Sequence, residues 1–131
     1  MATAALREKA VARIQEALKQ GYATVVVVSA MGRYGDPYAT DTLLAFAREV
    51  CSEVNLRELD LLLSCGELIS TVIMVQSLKA QGIEARAFSG GMAGIITDGN
   101  FGDAHIIEVN PEKIVTCLQR QQVAVVAGFQ G

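Results

Sequence analysis

Val25-Val26-Val27-Val28-Ser29-Ala30-Met31-Gly32 is the stretch that decides how this chain is read. Four β-branched residues in succession predict a strand buried on both faces. Small and flexible residues take over at Ser29 and continue to Gly35. In open α/β sheets ligands bind beyond the carboxyl ends of strands, where this turn falls. Upstream, Leu6, Ala10, Ile14 and Leu18 recur at helical spacing, while Arg7, Glu8, Arg13, Glu16 and Lys19 point elsewhere. That predicts a helix over residues 3–20, capped by Thr3 and stopped by a left-handed Gly21. The helix delivers the chain to a first strand over about residues 23–29.

Downstream, residues 31–39 collect turn formers: Gly32, Gly35 and Asp36-Pro37. Leu43, Leu44, Ala47 and Val50 then predict a helix over about residues 40–51, with Thr40 or Asp41 near its N-cap. Asn55-Leu56-Arg57-Glu58 resembles a capping box with Asn in place of Ser or Thr. It opens a short helix ending in Leu61-Leu62-Leu63-Ser64-Cys65-Gly66. A second helix over residues 67–81 is apolar on nearly every side, through Leu68, Ile69, Val72, Ile73, Met74, Val75 and Leu78. Such a helix belongs between layers. Residues 83–88 read as a second strand, 89–94 as a glycine-rich loop, and 95–97 and 104–109 as short strands around the turn Asp98-Gly99-Asn100-Phe101-Gly102. Asn110 caps a helix with Pro111 at its first position, and residues 123–127 make the last strand. This order indicates an α/β fold with a mainly parallel sheet.

At 131 residues the chain fits one domain. Hydrophobic residues make up 51% of it, and the mean hydropathy is +0.34, so part of its core is expected to be shared with something else. No apolar run approaches the roughly 20 residues of a membrane span, and no charged-then-apolar leader opens the chain. The net charge is −3, with Lys and Arg scattered, so no nucleic-acid footprint appears. A soluble, cytoplasmic chain without nucleic-acid or membrane partners is the expectation. Cys51, Cys65 and Cys117 lack CxxC spacing and are odd in number, which suits a reducing compartment. They read as small core residues rather than metal ligands.

Candidate chemistry gathers at three places. Residues 29–40 offer backbone N–H groups and the hydroxyls of Ser29 and Thr40 at a strand end, which could hold an anion or carboxylate. Glu67 follows Ser64-Cys65-Gly66 at the expected start of the second helix, where the helix dipole favours a carboxylate. That position explains Glu67 either as a helix stabiliser or as a group that binds an ammonium. Ser89-Gly90-Gly91-Met92-Ala93-Gly94 lacks the Gly-Lys-Ser/Thr end of a phosphate loop and the order of a dinucleotide fingerprint. His105 is the only histidine and lies in an alternating strand without a Ser or Cys partner, so a structural role is expected. Asp98 and Asp103 flank the Gly99-Asn100 turn as turn residues.

Five blocks in order resemble those of the aspartate kinases: Val25-Val26-Val27-Val28-Ser29-Ala30-Met31-Gly32, Thr40-Asp41-Thr42-Leu43-Leu44, Asp60-Leu61-Leu62-Leu63-Ser64-Cys65-Gly66-Glu67, Ala93-Gly94-Ile95-Ile96-Thr97-Asp98 and Val125-Val126-Ala127-Gly128-Phe129-Gln130-Gly131. The loop from Gly32 through Tyr38 to Asp41 is similar to the form in aspartokinases of spore-forming bacteria. The resemblance implies an amino-acid-kinase fold, an α/β/α sandwich. It implies transfer of the γ-phosphoryl of ATP, with Mg2+, to the side-chain carboxylate of L-aspartate, the opening step towards lysine, diaminopimelate, threonine and methionine. Family residues that hold aspartate match Thr40 and Glu67, with Ser29 and Phe129 lining the same pocket, and Glu67 meets the substrate ammonium.

The same resemblance marks what these residues lack. The family's opening Lys-Phe-Gly-Gly-Thr-Ser strand supplies a phosphate-binding lysine. Its Gly-Arg-Gly-Gly-Ser-Asp block supplies a substrate-gripping arginine and the catalytic aspartate. Neither occurs here, and Met92 stands where the family commonly has Gln. Residues 1–131 are therefore expected to be a partial amino-acid-kinase domain, without its first strand, nucleotide-binding half and ACT domains. No catalytic or cofactor-binding residue, and no productive binding of ATP, is expected in this chain alone. A non-catalytic binding or assembly module that retains the fold is the alternative. Unpaired strand edges further predict a homo-oligomer.

Overall fold

All five residues of the strand Val123–Ala127 are buried, and the other layers are built on it. The computed structural model describes residues 3–130. Its elements run α1 (Ala4–Lys19), β1 (Val25–Val28), α2 (Thr40–Val50), α3 (Leu56–Lys79), β2 (Ala85–Phe88), β3 (Ile95–Thr97), β4 (Ile106–Val109), α4 (Glu112–Gln119) and β5 (Val123–Ala127). The main sheet has the order β1-β5-β2, with both pairings parallel. β3 and β4 form a separate antiparallel pair.

Side chains alternate across a strand, and β5 uses both faces. Val123 and Val125 join Val11 and Ile14 of α1, Val28, and Met74, Val75 and Leu78 of α3 in one core. Ala124 and Val126 join Phe88, Ala93 and Cys117 in a second core, against which Ile114 and Leu118 of α4 pack. Helices on both faces of a parallel sheet make the α/β/α layering that the resemblance implied.

Local signals explain several helix ends. Thr3 Oγ1 accepts from Leu6 N–H at 3.3 Å, and Gly21 adopts φ +86° after α1. Asn55 Oδ1 accepts from Arg57 N–H at 2.9 Å. The capping box is only half made, because the Glu58 carboxylate pairs with Arg57 at 2.6 Å. Asn110 Oδ1 accepts from Glu112 N–H at 3.1 Å, but it lies one residue before the N-cap. That position is Pro111, without a side-chain cap bond, so Pro111 is not the first helical residue expected from the sequence.

Three expectations fail for packing reasons. β1 is not buried on both faces: Val25 is 45% exposed and Val27 67%. The second core draws on β5 and β2 but takes no residue from β1, so one face of this edge strand is bare. The two helices expected either side of Gly66 are one helix, α3, of 24 residues. Gly66 does not break it; there the Tyr38 carbonyl, Ala30 and Leu43 pack against the helix, 2.8, 3.2 and 3.3 Å from where a Cβ would stand. Nor is α3 enclosed between layers. Its buried residues Gly66, Ser70, Thr71, Met74, Val75 and Leu78 form one stripe, while Leu68, Val72 and Ile73 are exposed.

By length and composition alone α3 is apolar enough to cross a membrane, which corrects the expectation that no segment is. Its buried stripe against the sheet has the pattern of a core helix. Ser70 and Thr71 within it donate to the carbonyls of Gly66 and Glu67, at 3.2 and 2.7 Å, so their burial leaves no hydroxyl unpaired.

Gly66→Ala sets two effects against each other. Alanine gains about 1 kcal/mol of helix propensity over glycine. The new methyl meets the Tyr38 carbonyl at 2.8 Å, and overpacking costs roughly 1–3 kcal/mol. We expect net destabilisation, seen as a lower urea midpoint. A raised midpoint would mean that residues 38–40 move aside without cost.

Candidate functional site

β1 and β5 run side by side with Val28 opposite Ala127, so Ser29 and Gly128 leave the sheet together at its carboxyl edge. The ladder extends one step, since Gly128 N–H donates to Val28 O at 2.9 Å. Gly128 also leaves room for a side chain from α3: a Cβ there would lie 3.4 Å from Glu67 Oε2. Next in the chain, Phe129 N–H donates to Glu67 Oε2. One carboxylate thus holds the chain leaving the central strand.

Of the four residues singled out in the sequence, Ser29, Glu67 and Phe129 meet at this edge. Glu67 and Phe129 are half-buried and Ser29 is exposed. Thr40 is the first residue of α2 and is exposed. The Tyr38 carbonyl on Gly66 brings the start of α2 against α3 beside Glu67. Among the described residues no hydrogen bond joins the side chains of Ser29, Thr40 and Glu67 to one another. The four residues present one carboxylate, two hydroxyls and one aromatic ring around a sheet edge. That set can receive an ammonium and a small polar body, and it contains no cation for phosphate.

Glu67 does not stand at a helix start. It lies mid-way along α3, beyond reach of the first-turn dipole, and the Phe129 N–H takes the place of that effect. Thr40 and Asp41 do not cap α2: its N-cap is Ala39, without a side-chain bond. Thr42 organises the loop instead, its Oγ1 accepting from Gly35 N–H at 2.9 Å, while Asp36 Oδ2 accepts from Arg33 N–H at 2.8 Å. Cys51 and Cys65 are exposed, contrary to the core reading. Cys117 is buried as expected, and burial pushes its thiol up.

The glycine-rich loop is braced on both sides. Gly94 adopts φ +84°, and a Cβ there would lie 1.9 Å from the Asn110 carbonyl. Asn110 N–H donates to Gly94 O at 2.8 Å. The Gln130 side chain lies over Gly90 and donates to Ala127 O at 2.7 Å. Met92 is exposed at the loop's surface.

Sequence reasoning gave no role to Asp60. It is buried, and its Oδ2 accepts from Gly102 N–H at 2.7 Å. Asp60 and Glu67 are seven residues apart, two helical turns, and so share a face of α3. A cavity of about 270 Å³ lies there, lined by Asp60, Gly102, Asp103, Ala104, Phe129 and Gln130. The available signal was an acid placed within an apolar run at that spacing from Glu67.

With the fold and this edge described, comparison with known proteins places the chain. It belongs to the amino acid kinase family, whose profile matches residues 1–131. It is 49% identical to Aspartokinase 1 of Bacillus subtilis over 95% of this chain and 31% of that protein. It is 46% identical to the aspartokinase of Mycobacterium tuberculosis over 91% of this chain and 27% of that one. The crystal structure of aspartate kinase from Synechocystis matches with a TM-score of 0.78 and 32% identity, over 99% of this chain and 20% of that chain. The chain thus spans less than a third of the relatives it resembles.

The turn that walls the cavity carries its own test. Asp98 Oδ1 accepts from Asn100 N–H at 3.1 Å and His105 N–H at 3.3 Å. These two bonds, then the neighbouring His105 imidazole, hold the Asp98 carboxyl below the ordinary aspartate value. A depressed folded pKa contributes to turn stability above the unfolded pKa and loses that contribution as pH falls through the folded one. We expect the Asp98 carboxyl carbon, followed by NMR, to titrate below an unstructured aspartate. In Asn100→Pro, which lacks the first donor, it should move back up.

Proposed function

We propose that this chain forms the aspartate-binding part of an aspartokinase-type phosphotransferase, which makes 4-phospho-L-aspartate from ATP and L-aspartate. The product would feed the synthesis of lysine, diaminopimelate, threonine and methionine, in the cytoplasm. One observation carries the reading: Glu67, anchored by Phe129, stands at the shared carboxyl edge of β1 and β5 beside Ser29. A carboxylate there suits the α-ammonium of aspartate, with the Ser29 and Thr40 hydroxyls available to its polar groups. The same residues do not fit ATP phosphates, since they bring no positive charge. Phosphoryl transfer depends on positioning and on cations around the phosphates, so in this reading ATP and Mg2+ are held by the family's other blocks.

Two measurements test the proposal. The 131-residue chain alone should give no aspartate-dependent ADP release in a coupled assay; turnover that survives removal of contaminating kinase would defeat the division of labour. In an enzyme joining this segment to the remaining family blocks, Glu67→Gln should raise the aspartate KM roughly ten- to a hundred-fold and leave the ATP KM nearly unchanged. Losing a charge-assisted hydrogen bond costs about 1.5–3 kcal/mol. An unchanged aspartate KM would reduce Glu67 to an anchor for Phe129.

Association is part of the same proposal. β1 is an edge strand with Val25 and Val27 exposed, and Ile106, Ile107 and Val109 of β4 are exposed as well. Open edges and apolar patches seek cover, and closed two-fold assemblies are the commonest. Light scattering over a concentration series should show a dimer. A monodisperse monomer at high concentration would refute it.

A further inference from the structure

We infer that Asp60 is a positioning residue, which fixes residues 98–105 as the wall facing Phe129. Asp60 is only 6% exposed, and the hydrogen bond it accepts comes from a backbone N–H 42 residues away, that of Gly102, at 2.7 Å. A buried carboxylate is costly unless it is paired, and here the pairing fixes a loop. Gly102 adopts φ +82°, a conformation that L side chains rarely take, and this turns its N–H towards α3.

One anchored amide is enough because the loop is already stiff. Asp98 N–H donates to His105 O at 3.0 Å, and the Asn100 side chain donates to Asp103 O at 3.1 Å. The Asp98 carboxylate accepts from two further amides of the same turn. Holding Gly102 therefore holds the whole turn. Asp60 lines the cavity of about 270 Å³ with Phe129 and Gln130. It also lines a second cavity, of about 310 Å³, with Arg57, Leu61, Ser64 and Phe101. Asp60 is the lining residue that the two cavities share. Loss of its bond to Gly102 frees the wall that faces Phe129.

For the ligand, the inference rests on the aspartate reading above; for the wall it does not. The test uses the 131-residue chain with backbone amide exchange and L-aspartate titration, both by NMR. Charged hydrogen bonds are worth about ten-fold or more in an equilibrium. Asp60→Ala should therefore speed exchange of the Gly102 and Phe129 amides by about that factor and weaken aspartate binding to match. Asp60→Asn keeps a neutral acceptor of the same shape and should recover part of each effect. Gly102→Ala leaves Asp60 in place but disfavours the required φ, and should reproduce the Asp60→Ala result. The Val125 and Val126 amides should stay protected in every variant.

Unchanged Phe129 exchange in Asp60→Ala and Gly102→Ala would overturn the inference. So would equal loss of protection at Val125 and Val126 in all three variants, which would make Asp60 a general stabiliser. If the variants show the Phe129 coupling but wild type gives no aspartate-induced shifts, the wall stands and the aspartate reading falls.

Discussion

The hydrogen bond from Phe129 N–H to the Glu67 carboxylate joins the exit of the central strand to the middle of the longest helix. Its partners are 62 residues apart, so it closes a large part of the chain. Its geometry depends on β5, which sets where Phe129 emerges. The layers supply the free energy through buried Met74, Leu78, Val123 and Val125. The bond contributes direction: it turns the chain across the sheet edge, where Ser29 already lies.

Much of the layering could be read in the sequence because it rests on period. The valines of β5 alternate between two cores, and the apolar face of α1 reaches one of them through Val11 and Ile14. Caps at Thr3 and Asn55 were legible because each is a local bond over a few residues. What failed was non-local. A run of valines looks the same whether or not a layer covers it, and β1 has cover on one face only. Glycine at position 66 gives the same letter for a helix end and for a place where another backbone passes close. Only the position of Tyr38 in space separates the two.

The site shows the same division. Ser29 was legible as the residue at a strand's carboxyl end, whereas Phe129 was singled out by the family resemblance alone. Glu67 was found through its neighbours in the chain, but for a physical reason that does not hold. The helix it was expected to begin had started at Leu56, and a distant amide, not the dipole, is its partner. Asp60 was passed over because its seven-residue spacing from Glu67 means a shared face only once α3 is known to run unbroken through Gly66, and its partner lies in a distant turn. The glycine-rich loop, by contrast, is occupied by contacts to Asn110 and Gln130.

The length of α3 sets the mechanics of the molecule. At about 1.5 Å per residue it extends roughly 36 Å, whereas five residues of strand reach only about 17 Å. Its later half lies along the sheet, with Leu78 and Met74 against β5 and its neighbours. Its first half, with Leu56 and Leu61 exposed, runs past the carboxyl edge as a cantilever. α2 and the 98–105 turn are mounted on that overhang through Gly66 and Asp60. Two pieces of chain far apart in sequence, α2 and the 98–105 turn, therefore share one support that projects from the sheet edge.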